Sequence, residues 1–149
     1  MTKPDPAKSC AQRCADQMYQ SDQASRELGI DITVTAPGTV SARMTVRPSM
    51  LNGFDICHGG YIFTLADTAF AFACNAYDNL TVAAGASIEF LRPAKEGDRL
   101  RADAEELSRS GRSGIYDVTV RNQDDVRIAV FRGRAHATGK PLLDGKSDT

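Results

Sequence analysis

The chain has no tryptophan, two histidines and no CxxC pair. These absences close several routes to function. His58 and His136 are isolated, and no Cys/His cluster has ligand spacing, so neither a metal site nor a cofactor is expected. The four cysteines, Cys10, Cys14, Cys57 and Cys74, make no regular framework, which suits a reducing compartment better than a disulfide-stapled domain. Neither sign of charge dominates. With 18 Lys and Arg against 19 Asp and Glu, the net charge is -1, too balanced for nucleic-acid binding through a global basic field. Long apolar runs are also missing. Tyr61 to Tyr77 is interrupted by Thr64, Asp67, Thr68 and Asn75, whereas a membrane span needs about 20 mostly apolar residues. The polar start, MTKPDPAKSCAQRCADQ, lacks the apolar core of a signal peptide, so the cytoplasm is the expected address.

What is present reads as one globular domain over residues 1–149, with loose tails at about 1–8 and 140–149. Ser9 as cap and Gly29 as stop predict a helix from Ser9 to Leu28. Ile30, Ile32 and Val34 alternate with polar residues, as do Val40, Ala42, Met44 and Val46. With Pro37-Gly38 between them, these are two strands of a hairpin with one wet face. A loop from Ser49 to His58 leads into a helix apolar nearly all round, ending about Tyr77. Four strands follow: Leu80–Arg92, Leu100–Leu107, Ile115–Val120 and Val126–Thr138. The small residues Ala83 to Ala86 suggest that a helix approaches the sheet closely there. Strands grouped apart from helices indicate α+β with a mainly antiparallel sheet. One such architecture wraps the sheet around the central helix.

Between Gly59 and Tyr77 the only residue charged at neutral pH is Asp67. A carboxylate on an apolar helix is costly to bury unless something pairs or solvates it. It either faces a polar gap or donor, or serves as base or nucleophile in a cleft. His58-Gly59-Gly60 stands at the helix start, where unpaired N–H groups suit a developing oxyanion and Gly59 permits close approach. Gly59 and Asp67 are separated by about 12 Å along one helix, too far to serve one carbonyl. Two antiparallel copies of the helix would bring Asp67 of one beside Gly59 of the other. A working site therefore predicts a homo-oligomer, a dimer at least. Cys57-His58 invites a thiol nucleophile, but neighbours in an extended loop point apart.

Leu51-Asn52-Gly53, Cys57-His58-Gly59-Gly60 and Phe63-Thr64-Leu65-Ala66-Asp67 resemble the signature of hotdog-fold thioesterases of the phenylacetic acid degradation type. Ala69 to Asn75, Ile88-Glu89-Phe90-Leu91-Arg92-Pro93, Gly97-Asp98, Gly114-Ile115-Tyr116-Asp117 and Phe131-Arg132-Gly133 extend the likeness over about residues 16–138. The resemblance implies the hotdog fold with an extra N-terminal helix, tetramers built as dimers of dimers, and hydrolysis of acyl-coenzyme A. Phenylacetyl or hydroxylated aromatic acyl groups are the implied substrates. Medium-chain thioesters, a non-catalytic acyl-coenzyme A binding role and a hydratase are the alternatives. It further implies that Asp67 attacks the thioester or activates water, Gly59 donates to the thioester oxygen, Asn52 orients that oxygen and His58 supports the loop. Arg92 and Lys95, and the turn Arg109, Gly111, Arg112 and Ser113, are implied contacts for coenzyme A. Related proteins hold the attacking water with a Ser where this chain has Ala83; Ser87, on the same face by strand parity, or Thr68 would have to substitute.

Overall fold

The structure, a computed structural model, describes residues 7–143; residues 1–6 and 144–149, most of the two expected tails, lie outside the described residues. Residues 140–143 are tied down. Lys140 accepts a hydrogen bond from the Leu80 N–H, and Asp78 Oδ1 accepts from the N–H groups of Leu142 and Leu143 at 3.0 and 2.8 Å.

The expected N-terminal helix is two helices, α1 (Cys10–Ser21) and α2 (Gln23–Glu27). Ser9 caps α1 by accepting from the Gln12 N–H at 3.1 Å. Asp22 breaks the run, because its carboxylate takes both the N–H and the hydroxyl of Ser25, at 3.0 and 2.6 Å. Such a local bond competes with helix continuation and starts a new helix instead. Gly29, at φ 69°, supplies the left-handed stop after α2.

The strands β1 (Asp31–Ala36), β2 (Thr39–Thr45), β3 (Thr81–Phe90), β4 (Arg99–Ser110), β5 (Ser113–Arg121) and β6 (Arg127–Ala137) form one sheet in the order β1-β2-β4-β5-β6-β3. Every neighbouring pair is antiparallel. Against its inner face lies α3 (Gly59–Cys74), whose Leu65, Ala66, Ala69, Phe70 and Ala73 are buried with Val40, Leu100, Val118, Ile128 and Phe131. One sheet wrapped on one central helix is the hotdog arrangement. No helix among the described residues is long and apolar enough to cross a membrane.

The second expected helix ends at Cys74 rather than Tyr77. Buried Asn75 leaves the helix to bond like a strand residue: Nδ2 donates to the carbonyls of Ala71 and Thr81, and Oδ1 accepts from the Thr81 N–H, each at 2.9 Å. A buried amide must satisfy both ends, and this one ties the end of α3 to the start of β3. The strand β3 is also an edge, and Ala83, Ala84 and Ala86 are exposed rather than covered by a helix. Close approach of helix to sheet occurs instead at Gly133, where a Cβ would stand 2.7 Å from the Phe70 ring.

Candidate active site

The sheet covers most of α3 and leaves a stripe open. Gly60 is exposed, and Phe63, Thr64, Asp67 and Ala71 are half-buried at successive three- and four-residue steps. Asp67 is thus a carboxylate on the uncovered line of an apolar helix. Among the described residues nothing hydrogen-bonds or ion-pairs with it. Burial raises its pKa above the ordinary carboxylate value.

The loop ahead of α3 is built by Asn52 and His58. Asn52 Oδ1 accepts from the Phe54 N–H at 2.9 Å, and the Asn52 N–H donates to Ile56 at 2.8 Å. The oxygen of the side chain is therefore engaged, and its amide NH2 is the end left to meet a ligand oxygen. His58 caps the helix: Nδ1 accepts from the Gly60 N–H at 2.9 Å, so the proton of a neutral ring is on Nε2. Its own N–H donates to Met50 at 2.8 Å. With the Gly60 donor taken by the cap, the Gly59 N–H at the first helical position has no acceptor among the described residues. Phe90 of β3 lies against Gly59.

The Cys57 thiol is no nucleophile. Burial pushes it up to about 11, and Sγ donates to the His58 carbonyl while the His58 ring caps the helix. Ser87 fails as a water holder. A bulge between Ala83 and Gly85 reverses strand parity: Ala83 pairs with buried Ala135, whereas Ser87 pairs with exposed Arg132. Ser87 therefore points to the outer face. Thr68 donates its hydroxyl to the Thr64 carbonyl at 2.7 Å, which leaves only acceptor capacity there.

The six residues expected to hold coenzyme A fall into two groups at opposite ends of α3, roughly 24 Å apart for its length. Arg92 and Lys95 are exposed beside the Gly59 end, where the Ala94 carbonyl accepts from the Cys57 N–H at 2.8 Å. Arg109, Gly111, Arg112 and Ser113 converge at the Cys74 end, lining a pocket of about 40 Å³ with Tyr77 and Tyr116. That volume holds little more than a water or two, so a nucleotide would rest over its mouth rather than inside. The turn itself is Ser110 to Ser113, with Gly111 at φ 58°, and β5 begins at Ser113 rather than Ile115.

Sequence reading missed Glu106. Its carboxylate accepts from the Tyr116 and Tyr77 hydroxyls at 2.8 and 3.0 Å. The signal was available by parity: Leu100, Ala102 and Ala104 mark the inner face of β4, and Glu106 continues it, an acid on an apolar face like Asp67.

Comparison with known proteins agrees with this arrangement. Residues 54–129 match the thioesterase superfamily. Acyl-coenzyme A thioesterase PaaI of Escherichia coli K12 is 44% identical over 125 residues, 84% of this chain and 89% of that protein. The structure of the E. coli PaaI protein from the phenylacetic acid degradation operon superposes with a TM-score of 0.87 at 42% identity, covering 89% of this chain and 96% of that one. A Streptococcus mutans UA159 protein bound to acetyl-coenzyme A superposes with a TM-score of 0.72 at 30% identity, covering 75% and 90%. With the fold, the loop ahead of α3 and the open carboxylate in common with the expected pattern, the chain belongs to the thioesterase superfamily, as a homologue of the PaaI-type acyl-coenzyme A thioesterases.

Proposed function

We propose that this protein hydrolyses acyl-coenzyme A thioesters of aromatic acids, phenylacetyl-coenzyme A or a hydroxylated relative, to the free acid and coenzyme A in the cytoplasm. The observation that carries the chemistry is Asp67: without a hydrogen-bond or ion-pair partner among the described residues, raised in pKa by burial, and on the open stripe of α3. The aromatic acyl group rests on the operon context of the E. coli relative.

The active unit is a dimer joined along β3. That strand is ten residues long, pairs with β6 on one side, and leaves Val82 and Phe90 exposed at 47% and 52%. A long apolar edge is a template for pairing with another chain. Pairing of two β3 edges across a two-fold axis would set the open α3 stripes side by side and antiparallel. Asp67 of one chain would then face Gly59 of the other, and the Arg92 and Lys95 end of one would approach the Arg109 to Ser113 end of its partner. Two such dimers assemble into a tetramer.

In that site the thioester oxygen receives the Gly59 N–H, with the Asn52 NH2 orienting it and His58 holding the loop. Asp67 attacks the carbonyl carbon or removes a proton from the attacking water. The negative charge developing on oxygen gains from fixed donors at a helix start, which need no reorganisation during reaction. The coenzyme A thiolate leaves. Thiol release measured with a trapping dye over a panel of aromatic and medium-chain thioesters tests the reading. The highest kcat/KM is expected for aromatic acyl groups. Tight binding of all thioesters with no thiol release would replace hydrolysis by a binding role.

A further inference from the structure

Glu106 lies outside the chemistry proposed above, and its surroundings fix it unusually well. Its N–H donates to the Gly38 carbonyl at 3.0 Å, and a Cβ on Gly38 would stand 2.9 Å from the Glu106 Cβ. Its register partner across the ladder is Tyr116, which is 1% exposed. The Tyr116 ring in turn lies over Gly114, where a Cβ would come 2.8 Å from Cε1. One carboxylate oxygen, Oε1, accepts from both tyrosine hydroxyls and stands 3.6 Å from Nε of Arg109. The Arg109 guanidinium is stacked on the Tyr77 ring, 3.7 Å from its centre. Burial raises both phenols, so each remains a donor at working pH.

Strand geometry makes this meeting possible. Residues three apart on a regular strand point to opposite faces. The bulge between Glu106 and Ser108 reverses that: Glu106 pairs with buried Tyr116, and Arg109 pairs with buried Gly114, so both stand on the inner face. A bulge re-aims a side chain in this way. Satisfying the Tyr116 hydroxyl needs only a neutral acceptor. A carboxylate adds a pull on the cation, and two tyrosines aimed at one oxygen hold that pull in place.

We propose that Glu106 is a positioning residue, holding the Arg109 guanidinium flat on Tyr77 so that it is preset to receive the phosphate-bearing end of the thioester. The inference rests on the reading of the Arg109 to Ser113 turn as the coenzyme A contact. Presetting matters because a free arginine loses much rotamer freedom on binding.

The test compares a coenzyme A thioester with the N-acetylcysteamine thioester of the same acid. Glu106→Gln keeps an acceptor for the tyrosines and removes the charge. It should raise KM for the coenzyme A thioester about tenfold, the worth of one charge-assisted bond, with kcat within about twofold. Kinetics on the truncated thioester should not change. Combined with Arg109→Ala, it should add nothing further, because Glu106 acts through Arg109. Arg109→Lys retains charge without the plane and should match Arg109→Ala; this variant leaves the Glu106 bonds to both tyrosine hydroxyls intact should Glu106→Gln fold poorly. A KM effect in Arg109→Ala that Glu106→Gln does not share, full additivity, or a wild-type KM in Arg109→Lys overturns the positioning role alone. An unchanged KM in Arg109→Ala overturns it together with the assignment of Arg109 to coenzyme A.

Discussion

The ring of Phe90 lies against Gly59: a Cβ at that glycine would stand 3.0 Å from Cζ and 3.3 Å from Cε1. One side chain from the edge strand thus closes on the first residue of α3, beside the proposed oxyanion donor. Gly59→Ala would force the ring outward and put a methyl beside the thioester. The N–H itself remains, but the methyl would hold the thioester oxygen off it, so turnover should fall on the order of 10²–10³, the usual worth of an oxyanion donor. Adding Phe90→Leu relieves the ring contact and should restore the melting temperature, but not the rate. Recovery of turnover in the double variant would mean that Gly59 serves only to seat Phe90.

Arg112 offers a separate test of the coenzyme A end. It lines the pocket at the Cys74 end of α3, and its carbonyl accepts from the Ala137 N–H at 2.7 Å. Only the side chain is lost in Arg112→Ala, so the turn should remain. KM for the full thioester should rise by about tenfold, as for one lost phosphate contact, and much less for the truncated thioester. Equal effects on both substrates would make Arg112 a surface charge. Arg92→Ala and Lys95→Ala, at the other end of α3, should behave alike only in the assembled dimer.

The features legible in the sequence were those written locally. The carboxylate of Asp67 shows against an apolar helix, Ser9 and Gly29 announce helix ends, and Pro37-Gly38 announces a hairpin. Features set by a partner strand were not legible. Gly85 inside the strand is the one local mark of the bulge that sends Ser87 outward, and it does not fix the register, because a bulge is a mismatch between two strands. The bulge at Leu107 likewise hid that Glu106 and Arg109 share a face, and extended β4 to Ser110 beyond its expected end at Leu107. Asp22 could be read as a cap or as a helix surface residue, and only the paired bonds to Ser25 decide. The position of β3 at the edge follows from the sheet order, which strand alternation cannot reveal.

Composite sites make a prediction about mixtures. Asp67→Asn chains and Gly59→Val chains should each be nearly inactive alone. In a mixed dimer, one site carries both lesions and the other carries neither. Random pairing across a two-fold interface should restore roughly a quarter of wild-type activity. Sedimentation should find the active species dimeric or larger. An active monomer, or no recovery in mixtures shown to exchange subunits, would remove the shared site.

Asp67→Asn is the central variant, since it keeps volume and removes the base. Turnover should drop on the order of 10²–10⁴ with KM little changed. The pKa of Asp67 is raised by burial, so as pH falls the carboxylate form is lost earlier than for an ordinary aspartate. The acid limb of kcat/KM should therefore be displaced upward from that of an ordinary aspartate, and residual activity in Asp67→Asn should lack it. Stability carries the opposite sign. With the folded-state pKa raised above the unfolded value, the folded protein holds the proton more tightly, and stability falls as pH rises through the folded pKa. Asp67→Asn removes that loss, so at neutral pH the variant should melt at or above the wild-type temperature, while at a pH below the unfolded value the difference should shrink. Single-turnover hydrolysis in heavy-oxygen water separates the two routes, because direct attack can leave label in the Asp67 side chain. Near-normal turnover in a folded Asp67→Asn protein would take the chemistry away from this carboxylate and leave the open stripe of α3 as a binding surface.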